Sequence, residues 1–185
     1  MNKTGVPLSW ITPNGVELTQ HYLKTKERKM AIRLFGVTRK MVLKETTDKL
    51  NTCKQNQAII PNIIHSLDAS HLIGIINSSM NSFGPIITVH DCFGTLPNNM
   101  ASLIFKVKKE FILLYTDNIF LIKFHDRLLQ SLIDHNLELV YDEKNIAIKV
   151  ALPLRNKMIF LDIPQLPKIG KLDLNKIYNS TYIIS

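Results

Sequence analysis

PNIIHSLDASH, from Pro61 to His71, and ITVHDCFGT, from Ile87 to Thr95, decide how this chain is read. Ile86 to Val89 is a short run of apolar and β-branched residues opened by Gly84-Pro85, and Phe93 to Leu96 is a second run closed by Pro97 and two asparagines. The pattern predicts a β-hairpin with Asp91 and Cys92 at its tip. Period-two alternation places Ile87, Val89 and Asp91 on one face and Ile86, Thr88 and His90 on the other. Asp91 is then a carboxylate at the mouth of an apolar surface, and His90 points away from it. Upstream, His65 and Asp68 are i, i+3 neighbours on a helix and can touch. His71 falls among Ile64, Leu67 and Ile75 in the apolar stripe, the setting of a core histidine with its hydrogen bonding met.

A rigid strand end suits a metal-binding carboxylate. Magnesium demands near-octahedral oxygen geometry and usually takes one or two protein carboxylates, leaving the rest to water and substrate phosphates. In two-metal phosphoryl or nucleotidyl transfer the ions activate the attacking hydroxyl and stabilise the leaving group. The other reading of Asp91 is a turn residue, because Asp is favoured in turns for its local hydrogen bonding. For His90 the other reading is a packed strand histidine. A zinc site from His65, His71 and His90 is disfavoured, since i, i+6 spacing spreads two ligands round the helix and the chain has no HExxH or Cys/His cluster.

The two blocks together resemble the active-site end of a single-subunit, bacteriophage-type RNA polymerase. Pro61, Asn62, His65, Ser66, Asp68, Ser70 and His71 match that family's PNxxHSxDxSH helix, and His90, Asp91, Phe93, Gly94 and Thr95 match its HDSFGT hairpin. Trp10 to Tyr22, WITPNGVELTQHY, is similar to its WxTPxGxxxxQxY hairpin, with Asn14-Gly15 expected to supply the positive φ angles of a tight turn. LPKIGKLDLNKI, from Leu166, resembles its C-terminal LPxxGxLDLxxI run, which leads to a short aromatic tail beside the active site. Leu137 to Gln165 is longer than the pattern and departs from it.

The resemblance implies DNA-directed RNA synthesis from a DNA template and ribonucleoside triphosphates. It makes Asp91 one of two Mg²⁺-binding aspartates, puts His90 close to the growing RNA end, and puts His65, with Asp68 one turn on, nearest the nucleic acid. The fold class expected is α+β, a palm-like piece in which a small antiparallel sheet carries Asp91 and helices back it, with no internal boundary over 1–185. The chain has no DGSCNGLQ-like block for the first catalytic aspartate and no nucleotide-binding fingers segment. It therefore reads as the last part of a polymerase, with the missing N-terminal portion as a partner. Two alternatives stand beside it. A family A DNA polymerase fragment also has a His-Asp hairpin, but usually with Glu where this chain has Cys92, and a non-catalytic basic nucleic-acid-binding remnant is the other.

The formal charge is +8. Between His21 and Lys54 ten Lys/Arg stand against three acids, a surplus of seven, which suits sequence-independent phosphate contacts by Lys24, Lys26, Arg28 and Lys29. An A/T-rich coding sequence explains the same bias, with 18 Lys against 5 Arg, 24 Ile and 15 Asn. Strands are expected near Trp10 to Thr12, Val16 to Gln20 and Ala31 to Phe35, and helices over Thr47 to Ile59 and Asn62 to Met80. A long helical region is expected over Ala101 to His135 with Asn99 as cap, and a late hairpin, Ile146 to Val150 with Met158 to Ile163, around Pro153. No apolar run reaches the roughly 20 residues that cross a bilayer, so no membrane partner is expected. Two cysteines, Cys53 and Cys92, make no disulfide framework. With no transit peptide at the start, the composition and the resemblance point to a mitochondrial genome or linear plasmid, and to the mitochondrion as location.

Overall fold

A computed structural model describes residues 2–80, 84–116, 119–154 and 157–181. The architecture is α+β. Among the described residues three α-helices carry four separate antiparallel sheets, where one small sheet was expected. Each sheet is formed by strands adjacent in sequence, so none organises the whole molecule.

The central strut is α1 (Thr52–Ser79). It replaces the two helices expected on either side of Pro61, which lies inside it. A proline there removes the bond its N–H would give to the Gln57 carbonyl, at a cost of about 3 kcal/mol. Tertiary bonds on both sides of the joint hold the helix through it: Gln55 before Pro61, and Asn62, Ser66 and Ser70 after it, all bond to β1, β2 or the turns beside them. The helix starts late because Asn51 caps it, its side chain accepting the Lys54 N–H at 3.2 Å. By length and composition alone α1 is apolar enough to cross a membrane, although polar residues interrupt its apolar run and hide this from the sequence pattern. Of its buried polar groups, Gln55, Ser66, Ser70 and His71 are bonded to this fold's own elements, while the Ser79 hydroxyl has no hydrogen-bond partner among the described residues.

Strands β1 (Leu8–Ile11) and β2 (Glu17–Gln20) form a hairpin across α1. Trp10, 2% exposed, donates its indole N–H to Ser66 Oγ at 3.1 Å. Only Gly15 has positive φ in the turn; Asn14 instead uses its side-chain amide to donate to the Ser70 carbonyl at 2.7 Å. Gln20 and Gln55 exchange amide-to-carbonyl bonds of 2.9 and 2.7 Å, a buried pair that leaves neither donor orphaned.

The strand expected over Ala31 to Phe35 is the outer end of a much longer ribbon, β3 (Leu23–Leu34) and β4 (Val37–Leu50). Its strands of 12 and 14 residues reach about 40 Å at the usual rise per residue. Thr47 to Leu50, expected to begin a helix, belong to it. Phe35 and Gly36, both at positive φ, close the tip, and Phe35 is fully exposed.

After α1 come β5 (Ile87–Val89) and β6 (Cys92–Gly94), then a 3-10 turn, Pro97–Asn99, running into α2 (Met100–Thr116). Asn99, the last residue of that turn, directly precedes α2. The long helical region expected over Ala101 to His135 is described as α2 and α3 (Ile119–Asp134), with 117–118 outside the described residues. The late hairpin is joined by a third strand: β7 (Glu138–Tyr141), β8 (Ala147–Leu154) and β9 (Lys157–Asp162) form one sheet. Its position is set by a core in which Val150, Leu139 and Leu161 meet Leu132 of α3 and Val6. A second core, Ile75, Leu103 and Val107 with Ile86 and Phe93, joins α1, α2 and the β5–β6 hairpin. The chain closes on a 3-10 segment, Leu174–Asn179, against α2, where buried Lys108 donates to the Tyr178 and Ser180 carbonyls. The terminal aromatic tail lies outside the described residues.

Candidate functional site

The β5–β6 hairpin is pinned by its apolar side chains to the second core, so its two-residue turn projects away from it. In the observed register Val89 pairs with Cys92, so the tip is His90-Asp91 and not Asp91-Cys92. The reason is backbone conformation. His90 takes φ 54°, a left-handed position that histidine adopts more readily than β-branched residues do and that two-residue hairpin turns require. Because both residues sit in the turn, strand alternation does not separate them. Ile87 and Val89, on the face assigned to Asp91, are exposed, while Ile86 and Phe93 face the core.

A cleft of about 730 Å³ opens between this tip, α1 and α2. His65 and Asp68 from α1, and His90 and Asp91 from the turn, all line it, and Phe111 and Tyr115 of α2 form the opposite wall. His65 and Asp68 do not pair with each other among the described bonds. A shallower groove of about 470 Å³ runs from His21 and Tyr22 at the root of the ribbon past Asn62 to His65 and Ala69, which also line the cleft.

His71 supports the site from behind. It is buried, its Nε2 lies 3.0 Å from the Val107 carbonyl, and its ring meets Phe93 and Phe111 edge-on at 6.3 and 5.5 Å. One imidazole thus joins α1, α2 and the hairpin, as the expectation of a satisfied core histidine requires. Ser66 and Ser70, whose place in the block had no chemical reading, bond the helix to β1 and its turn. Tyr115 was missed, because only the packing of α2 on α1 brings it to the cleft. Its pKa is raised from the usual 10.0, first by burial and then by the negative charge of Asp68.

Among the described residues no three His, Cys, Asp or Glu side chains gather into a metal cage. A cage is what zinc needs. One accessible carboxylate at a turn fits magnesium, whose remaining positions go to water and phosphate.

The ribbon presents two unlike faces. Directly opposed residues share a face, so the register gives one face Leu34/Val37, Ile32/Arg39, Met30/Met41, Arg28/Leu43 and Lys26/Glu45. The other carries Arg33/Thr38, Ala31/Lys40, Lys29/Val42, Glu27/Lys44 and Thr25/Thr46. Lys26 and Arg28 therefore point opposite to Lys29, and Lys24 sits at the register shift between Leu23 and Thr25. Both faces are cationic: Lys29, Arg33, Lys40 and Lys44 stand with Glu27 on one, and Lys26, Arg28 and Arg39 with Glu45 on the other. Arg28 and Lys44 also have acidic neighbours, Glu45 at 3.9 Å and Glu27 at 3.8 Å.

This arrangement sits in a chain whose full length, residues 1–185, matches the DNA-dependent RNA polymerase family, and the chain belongs to that family. It is 40% identical over 184 residues to "Probable DNA-directed RNA polymerase" of Gelasinospora sp. (strain G114), covering 99% of this chain and 22% of that protein. It is 28% identical over 190 residues to "DNA-directed RNA polymerase, mitochondrial" of Mus musculus, covering 100% of this chain and 15% of the mouse protein. Against "DNA-directed RNA polymerase" of Pseudomonas phage phiKMV it is 32% identical over 109 residues, 59% of this chain and 13% of the phage protein. The chain thus spans 22% or less of the length of these curated relatives.

Proposed function

We propose that this chain is a palm-like part of a DNA-directed RNA polymerase, the part at which a ribonucleotide is joined to the growing RNA. The observation that carries the reading is the convergence of His65, Asp68, His90 and Asp91 on one cleft in a chain matched along its whole length by that family. Asp91 holds magnesium as one of two metal-binding aspartates. The ions, when bound, activate the attacking hydroxyl and neutralise charge on the phosphates. The exposed turn leaves Asp91 oxygens free to share a metal with substrate, and the core beneath keeps the turn in place. His90 and His65 are hydrogen-bonding groups on either side of the RNA end. The second metal-binding aspartate and the fingers segment come from the remaining polymerase portion, which is also the partner on which activity depends. The ribbon contacts nucleic-acid phosphates through Lys24, Lys26, Arg28 and Lys29 together with Arg33, Lys40 and Lys44. The likeness to the mouse mitochondrial enzyme and the A/T-biased composition support a mitochondrial location, encoded by the organelle or by a plasmid.

The test grafts this chain in place of the matching segment of the Gelasinospora relative and follows primed extension with Mg²⁺ and four ribonucleotides. Asp91→Ala should reduce elongation by more than about 100-fold, since losing even an outer-shell partner of a metal ligand costs 10–100-fold. An Asp91→Ala graft as active as the parent sinks the assignment. Extension with deoxyribonucleotides only would favour the DNA polymerase alternative, and template binding without any extension would favour the non-catalytic one.

A further inference from the structure

The cleft has two chemically unlike walls. Those from α1 and the hairpin carry carboxylates and imidazoles, while α2 contributes Phe111 and Tyr115, an i, i+4 pair on one helix face. No lysine or arginine lines the cleft among the described residues. Among the described residues phosphates meet no cationic side chain there, and a flat aromatic surface is what the α2 wall offers a nucleotide. Tyr115 remains 39% exposed, more than a ring recruited only to fill a core. Phe111 backs it at 4.7 Å between centroids and is itself held edge-on by His71 at 5.5 Å. The ring is therefore a supported surface open to the cleft. With an ordinary value of 10.0 the hydroxyl is protonated at neutral pH, and burial and then the Asp68 charge raise it further.

We infer that the Tyr115 ring, backed by Phe111, is a stacking surface for a nucleobase in the Asp91 cleft. The inference rests on the reading of the cleft as a nucleotidyl-transfer site and adds a residue that binds by its aromatic face. Every base has a π-face, so such contact is tolerant of sequence. The base can belong to an incoming nucleoside triphosphate or to the terminal residue of a strand, and both present the same chemistry.

The probes are 2-aminopurine riboside triphosphate and an RNA oligonucleotide with 2-aminopurine at its 3′ end, each titrated with the full 185-residue chain and Mg²⁺. Stacking quenches the fluorophore, and the probe that responds identifies the source of the base. Tyr115→Phe, which keeps the ring, should bind within about twofold of the parent. Tyr115→Leu should lose the quench and bind about 5- to 100-fold more weakly, the range that base–aromatic stacking commands. Equal thermal melts for the two variants exclude misfolding as the cause. Tyr115→Leu quenching like the parent overturns the inference, as does a parent chain that quenches neither probe. Asp91-dependent elongation by the graft without any quench rejects the stacking surface alone; loss of both rejects the polymerase reading with it.

Discussion

The cleft and the ribbon are neighbours in sequence and opposites in construction. Around the cleft, α1, α2 and the β5–β6 hairpin share a core of Ile75, Leu103 and Val107, and His71 bonds the Val107 carbonyl while its ring packs edge-on against Phe93 and Phe111. In the ribbon, β3 and β4 touch chiefly each other, and Leu34, Val37 and Met41 stay exposed. Side chains at the cleft are positioned by what lies behind them; those of the ribbon are positioned only by strand register. Damage at the cleft should therefore spread through the fold, and damage in the ribbon should stay there.

The largest expected contrast lies within the cleft itself. His71→Ala removes a buried ring and its bond to Val107, and should cost about 2–4 kcal/mol, seen as a lower urea midpoint at unchanged slope. Asp91→Asn, at an exposed turn, should stay within about 0.5 kcal/mol of the parent in the same titration. A large loss from Asp91→Asn would mean that the carboxylate serves the turn and not a metal.

In the ribbon the two faces can be set against each other. Charge reversal of Lys29, Arg33, Lys40 and Lys44 should weaken duplex DNA binding and flatten its logarithmic salt slope by about 0.9 for each phosphate no longer neutralised. Reversal of Lys26, Arg28 and Arg39 on the opposite face should do less. Equal weakening from both would show that net charge acts and face does not.

Gly36→Val tests whether the ribbon is uncoupled. Gly36 has φ +80° and an added Cβ meets nothing within 4 Å, so the penalty is backbone strain alone, about 1–2 kcal/mol. Amide exchange should quicken at the tip while the global melt holds. A fall in the global melt would tie the ribbon to the core after all.

The smallest effect concerns pH. Because the Tyr115 pKa is raised in the fold, its contribution to stability is complete below its usual value of 10.0 and is lost as pH rises above that towards the folded value. Stability should therefore fall above pH 10.0 less steeply in Tyr115→Phe than in the parent, as paired urea titrations would show.

What the sequence showed of each region follows the same division. The cleft residues lie in two dense blocks, and turn signals flank the hairpin on both sides, so its existence could be read. Its tip was one residue off because His90 adopts a left-handed conformation without a Gly or Asn to announce it. Pro61 reads as a helix boundary by local sterics, and only the bonds made by Gln55, Asn62 and Ser66 to distant β-strands carry α1 past it. The ribbon was largely hidden because Lys and Arg alternate there with Met, Leu and Thr, a composition that reads as a charged segment before it reads as strand. The β7–β9 sheet was half visible: β8 and β9 are short apolar, partly β-branched runs, while β7 is only four residues long.

The root of the ribbon has a consequence for how this chain can change. Asn51 donates to the Tyr22 carbonyl at 2.8 Å, and the Gln20–Gln55 pair fastens the same junction, so both ends of the segment are tied to α1. In polymer terms, everything between them is a closed loop. Doubling the length of such a loop costs only about 0.6 kcal/mol in closure entropy. The ribbon can therefore lengthen, shorten or be rewritten almost without cost to the Asp91 turn, leaving what it touches free to diverge while the chemistry stays still.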